Sequence, residues 1–188
     1  MAGRKVITFV TGNINKVQEV KAILGADFAH EIKLEPLDII EVQGDPEFVA
    51  KSKCQTAAKL ISGPVMVEDT SLHLAALNGM PGPYIKYFEK ALGLDQLHKL
   101  IDGWPNKAAT AVCTMAYSEG ADMDVRLFKG VLEGQLVARR GENGFGWDAC
   151  FQPINSSETL AEMGAERKGQ ISHRRKAVLA FKQFWDGK

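Results

Sequence analysis

The chain has 188 residues, 45% of them apolar and 24% charged, which suits one well-packed domain with at most two lobes. Its 23 basic and 23 acidic residues cancel, which argues against polymeric nucleic acid as the main partner but not against a single nucleotide held by a few local cations. Cys54, Cys113 and Cys150 are far apart and lack zinc spacing, so they read as free buried thiols in a reducing compartment.

The N-terminus enters a strand pattern almost at once. It shows no signal-peptide, transit-peptide or membrane-span pattern, so a cytoplasmic protein with no membrane partner is expected. Lys5 to Thr11 is a β-branched apolar run and predicts a buried strand. Gly12-Asn13 breaks it, and Val17, Val20, Ile23 and Leu24 then recur at helical spacing before Gly25. Asp45-Pro46 predicts an N-cap and first helical position for a helix running to Ile61. The short run Pro64 to Val67 predicts a second buried strand with Glu68 and Asp69 at its end. Gly79 to Pro83 reads as a rigid turn, Tyr84 to Leu92 as a helix, and Leu94 to Ile101 as a short amphipathic helix. Ala108 to Ser118 and Val125 to Val137 are strand-like. Ser172 caps a last helix with Val178, Phe181, Phe184 and Trp185 on its apolar positions. Early alternation of strand and helix followed by paired strands predicts an α/β fold with a mixed sheet in one domain, 1–188.

The chemistry is concentrated at element ends. Thr11-Gly12-Asn13 sits between strand and helix, where free backbone N–H groups attract anions, and Lys16 adds a cation in the first turn. The alternative is an ordinary turn with Asn13 as cap. It is not a Walker motif, because the only Gly-Lys pair is Gly187-Lys188. Gly144 to Ala149 loosely fits a dinucleotide fingerprint, but Pro153 follows soon and no helix is expected to open there.

Glu41 and Asp69 each follow an apolar stretch, and two carboxylates with open water positions suit Mg²⁺ bridging to phosphates. Two acids ending a buried strand are costly unless paired. A further carboxylate can take a proton from an attacking water. Glu68 would point away from Asp69 if the strand continues. The alternative is solvated strand-end acids. Among the basic residues, Arg174 has the best physical case, because Ser172-His173-Arg174 begins a helix. Phe145 and Trp147 flank Gly146, which suits a ring stacking on a flat ligand while Asp148 accepts from its N–H groups. The alternative is two rings packing a loop onto the core. Together these groups point to a metal-dependent site for a phosphorylated, aromatic ligand.

Five segments carry a family resemblance: FVTGNINK (Phe9 to Lys16), GPVMVEDTSL (Gly63 to Leu72), GMPGPYIKYF (Gly79 to Phe88), RRGENGFGWDACFQP (Arg139 to Pro153) and AEMGAERKGQISHR (Ala161 to Arg174). In order and spacing they resemble the inosine triphosphate pyrophosphatases (the Ham1/RdgB-like purine NTP pyrophosphatases), in particular the eukaryotic enzymes. The resemblance implies hydrolysis of ITP, dITP and XTP to the monophosphate and pyrophosphate with Mg²⁺, or Mn²⁺ in its place. It implies an elongated mixed sheet flanked by helices, two lobes around a nucleotide cleft, and a homodimer. Carried onto this chain, Thr11, Gly12, Asn13 and Lys16 form the phosphate loop. Glu41 and Asp69 hold the metal, Asp69 also acts as base, and Lys53 and Lys86 contact phosphates, with Thr70 beside them. Phe145, Gly146, Trp147 and Asp148 receive the base, and Lys168, His173 and Arg174 complete the pocket.

Gly169, Tyr87 and Arg140 depart from the residues common in the family, and none removes an implied ligand. Discrimination would rest on the 6-oxo group. Donors facing adenine's 6-amino group would be left unpaired, at about 1–3 kcal/mol per buried group. A Nudix hydrolase is disfavoured by the missing Glu-rich helix, a Maf-like enzyme by the FGWD and SHR segments, and a non-catalytic sensor by the intact Glu41, Asp69 and Lys53.

Overall fold

The opening apolar run forms β1 (Val6–Val10), and Asn13 caps α1 (Ile14–Leu24) by accepting a hydrogen bond from the Asn15 N–H at 3.0 Å. The computed structural model describes residues 4–187. Residues 1–3 and Lys188, which enter the leader and Gly-Lys readings, lie outside the described residues. Gly25 ends α1 at φ 76, a left-handed value that favours glycine. β2 (Glu31–Glu35) was not anticipated. It lies at one end of the strand order and is parallel to β1, with Val6 opposite Glu31 and Val10 opposite Glu35. In α2 (Pro46–Leu60) the Asp45 carboxylate accepts from Glu47 and Phe48 N–H at 3.0 and 2.9 Å, the cap expected of Asp-Pro.

β3 (Val65–Leu74) corrects one expectation. The strand does not stop at the acids but runs through Glu68-Asp69-Thr70 for five further residues after Asp69. β4 (Pro81–Gly82) pairs with β3 inside the expected turn, and α3 (Ile85–Leu92) follows. The next predicted helix divides into α4 (Leu94–Leu97) and a 3₁₀ turn, His98–Ile101. β5 (Ala108–Ser118) and β6 (Arg126–Leu136) form as predicted. A 3₁₀ helix, Gly146–Cys150, opens where none was expected, and leads into β7 (Phe151–Pro153). α5 (Gly164–Ile171) was not anticipated, and α6 (His173–Asp186) begins directly after Ser172. The seven strands are ordered β2-β1-β3-β5-β6-β7 with β4 on β3. β1 is parallel to both β2 and β3, while β4 and β7 pair antiparallel with their neighbours, so the fold is α/β with a mixed sheet and, among the described residues, six flanking helices.

The chain divides into two compact units. The first comprises the chain through Asp69, Cys113–Gly130, and the chain from Arg174; the second comprises Thr70–Val112 and Val131–His173. In the first unit, strand alternation sorts side chains onto two faces. Ile7, Phe9 and Met66 pack with Val17 and Val20 of α1 and Val178 and Phe181 of α6. Val10, Val65 and Val67 pack with Ala50, Cys54 and Ala57 of α2. Each fully buried Phe or Met side chain contributes about 1.5–3 kcal/mol. Glu68 therefore continues the face of Met66, and Asp69 the face of Val65 and Val67. In the second unit Leu72, Leu74, Ile85, Leu97, Leu132, Trp147 and Phe151 share one core. Gly134 is required there: a Cβ would lie 2.7 Å from the Phe151 ring and would collide with the Gln152 carbonyl. Cys54, Cys113 and Cys150 are free and buried, as expected.

Candidate active site

In the first unit, the loop after β1 is held by the end of β2 and by its own polar groups. The Thr11 N–H donates to the Glu35 carbonyl at 3.1 Å, and the Asn13 N–H donates to Thr11 Oγ1 at 3.1 Å. The space over Gly12 is open, since a Cβ there would meet nothing within 4 Å. Asn13 is the helix cap, so the ordinary-turn reading holds for its side chain. Lys16, one turn into α1, reaches back to β3, with Nζ 3.2 Å from Glu68.

Strand alternation puts Glu68 toward α1 and α6, and there it is paired. Arg174 Nε donates to one oxygen at 2.7 Å and its terminal nitrogen to the other at 3.1 Å, while its second terminal nitrogen donates to Glu19 of α1. Both Glu68 and Arg174 are buried. Burial alone would push the Arg174 pKa down. The charge of Glu68 and its hydrogen bonds raise it, so the guanidinium stays charged. Arg174, expected in the base pocket, is thus committed to the acid that precedes Asp69.

Asp69 faces the other side. Its Oδ2 is buried with no hydrogen-bond partner. Burial raises its carboxyl to about 6; the Lys16 and Lys53 charges lower it, and Glu41 and Glu68 raise it further. These four residues therefore lie within electrostatic reach of Asp69. Glu41, on the loop before α2, accepts from Lys53 Nζ of α2 at 2.6 Å. The full set has one negative charge in excess, since Glu19, Glu41, Glu68 and Asp69 face Lys16, Lys53 and Arg174. Among the described residues no three His, Cys, Asp or Glu side chains form a metal cage. The donor set is instead two carboxylates, one with an orphaned buried oxygen. That fits a hard cation which keeps much of its water and takes further oxygens from phosphate.

In the second unit, Asp148 anchors a turn. Its Oδ2 accepts from the Phe145 N–H at 2.9 Å and from Lys168 Nζ of α5 at 2.6 Å, both acid and lysine being buried. Lys168 Nζ also lies 4.4 Å from the centre of the Phe145 ring, a cation–π contact. Gly146, at φ 59, adopts the left-handed conformation this turn needs. Trp147 is 7% exposed and stacks on His173 at 5.6 Å and 19°, with Phe151 edge-on at 5.6 Å. Its ring is part of the core, as the packing alternative held, and Phe145 is the less buried of the two rings. Lys86 lies exposed on α3, and Thr70 is half-buried on β3.

The sequence-predicted residues thus gather into two sets. Thr11, Gly12, Asn13, Lys16, Glu41, Lys53, Asp69 and Arg174 belong to the first unit; Thr70, Lys86, Phe145, Gly146, Trp147, Asp148, Lys168 and His173 belong to the second. Sequence reasoning missed Glu68 as the partner of both Lys16 and Arg174. The signal was present in the period of two along β3, but hidden by ending the strand early.

The Ham1 family model matches residues 7–184. The solved structure of the Staphylococcus aureus Ham1 protein is 30% identical over 97% of this chain and 98% of that one, with a TM-score of 0.82. A Ham1 protein from Coxiella burnetii is 25% identical over 97% and 99%, with a TM-score of 0.86. A nucleoside-triphosphatase / dITP/XTP pyrophosphatase from Mycobacterium abscessus shares the fold at 22% identity over 94% and 98%, with a TM-score of 0.72.

Proposed function

The chain belongs to the Ham1 family, and on that premise we propose that it hydrolyses deaminated purine nucleoside triphosphates (ITP, dITP and XTP) to the monophosphate and pyrophosphate. The observation that carries this reading is Asp69: a buried carboxylate with an orphaned oxygen, under the charges of Lys16, Lys53 and Glu41. Such a group suits proton abstraction from water near neutral pH, because burial has already moved its carboxyl to about 6. The fold shared with a dITP/XTP pyrophosphatase supports the substrate class.

Glu41 and Asp69 would hold Mg²⁺, or Mn²⁺, which when bound neutralises phosphate oxygens and so lowers the barrier to attack. The chain's own residues do the rest. Asp69 orients the attacking water and takes its proton. Lys16, Lys53 and Lys86 oppose the charge that develops on the phosphates, with the Gly12 N–H, the Thr11 hydroxyl, the Asn13 side-chain NH2 and the side chain of Thr70 as further donors. Arg174 contributes through Glu68, which holds Lys16 in place. The purine lies against Phe145, the Gly146 turn lets it approach the backbone, and Asp148, Lys168 and His173 supply polar groups at its edge. Trp147 backs that surface.

The same reading makes the chain one enzyme domain acting as a homodimer in the cytoplasm. Among the described residues no helix is long and apolar enough to cross a membrane. Phosphorus NMR of the products of ITP hydrolysis tests the reaction class. IMP with pyrophosphate is expected, whereas IDP with phosphate would contradict it.

A further inference from the structure

Asp148 and Lys168 neutralise each other across 2.6 Å. A second acid stands beside them. Glu89, half-buried on α3, directs its carboxylate at the turn: a methyl group built on Gly146 would lie 3.5 and 3.9 Å from its two oxygens. Burial, then the charge of Asp148, raises its carboxyl above its ordinary value. No ion pair joins it to Lys86, the exposed lysine one turn earlier on the same helix face, or to any other described residue. The Phe145–Asp148 turn is therefore left with one uncompensated negative group, in a place where negative charge is already disfavoured.

We propose that Glu89 is a specificity-determining residue that biases the base pocket toward hypoxanthine and against xanthine. The inference rests on the reading that this turn and Lys168 receive the purine. The two bases differ in the property that a carboxylate senses. Xanthine carries a second ring N–H, beside its 2-oxo group, which is acidic enough to be lost near neutral pH and leave a delocalised anion. Hypoxanthine stays neutral there and keeps its N–H as a donor. A fixed carboxylate in a partly desolvated turn repels the anion and has no such quarrel with the neutral ring. One such repulsion, at several ångströms and intermediate dielectric, is worth about a tenfold discrimination.

The test compares kcat/KM for XTP and ITP, at one pH and salt concentration, in the wild type, Glu89→Gln and Glu89→Lys. The XTP:ITP ratio cancels any difference in the folded fraction between preparations. It is expected to rise about tenfold in Glu89→Gln, which keeps the size and removes the charge, and further in Glu89→Lys. A ratio that stays level or falls in both variants overturns the inference while leaving the pyrophosphatase reading in place. Hydrolysis of neither nucleotide by the wild type overturns the proposed function, and this inference with it.

Discussion

Arg174 grips Glu68 at two points, Nε at 2.7 Å from one carboxylate oxygen and a terminal nitrogen at 3.1 Å from the other, with both side chains out of water. Lys16 touches the same carboxylate at 3.2 Å, and Glu19 takes the remaining guanidinium nitrogen. One buried acid thus ties α1, β3 and α6 together immediately next to Asp69.

Arg174→Ala removes one half of that pair and leaves the Glu68 carboxylate, beside Lys16, buried without the guanidinium. Breaking a buried pair from one side costs about 3–5 kcal/mol. Denaturant unfolding is expected to show a loss of about 3 kcal/mol, and Glu68→Gln on the Arg174→Ala background should recover part of it. A loss under about 1 kcal/mol would mean that the pair does not hold these elements.

Asp69→Asn is expected to abolish turnover yet leave the metal-free protein folded and more stable near neutral pH. The folded-state value of about 6 lies above the ordinary 3.8. The carboxyl's contribution to stability is therefore whole below pH 3.8 and is lost as pH rises through about 6. Asparagine avoids that loss, a gain on the order of 2–3 kcal/mol at pH 7.5 that shrinks to nothing near pH 4. Thermal melts of both proteins across that range check the sign. A variant less stable than the wild type at pH 7.5 would contradict it, and surviving activity would remove Asp69 from the mechanism.

Lys53→Met takes away the ammonium 2.6 Å from Glu41 and widens the negative excess around Asp69. Calorimetric titration with Mg²⁺ should then show tighter binding, by about tenfold, while pyrophosphate release falls. Weaker Mg²⁺ binding in this variant would place the metal away from Glu41.

Trp147 is core before it is anything else. Trp147→Ala opens a cavity beside Phe151 and His173 and is expected to cost about 3–5 kcal/mol of stability. Trp147→Phe should cost less than about 2 kcal/mol and keep most of the affinity for nucleotide, because Phe145 supplies the accessible ring. Equal binding defects in the two variants at full folding would instead make the indole itself a ligand contact.

Much of this architecture was legible in residue order. Asp45-Pro46, Gly12-Asn13 and the β-branched runs are local signals, and each produced the expected cap or strand. β2 was missed because Glu-Ile-Lys-Leu-Glu at a sheet edge carries too few apolar residues to stand out; its partner β1 supplies the register. α5 escaped for a similar reason, since Gly164–Ile171 buries only Lys168 fully and has no apolar stripe. The site was legible as residue types but not as pairings. That Asp148 pairs with Lys168, and Glu68 with Arg174, depends on contacts across 20 and 106 positions that no local pattern encodes. The acids on β3 were read as a strand end because Glu-Asp is a poor strand sequence. The buried Arg174 and half-buried Lys16 on one face and α2 on the other let the strand pass through them.

The most direct test of the account is pyrophosphate release from ITP, ATP and GTP by the purified protein, with Mg²⁺ and with the metal chelated. The account predicts a kcat/KM for ITP at least about a hundredfold above those for ATP and GTP, and no release without a divalent ion. Equal turnover of ATP, or full activity in chelator, would contradict it.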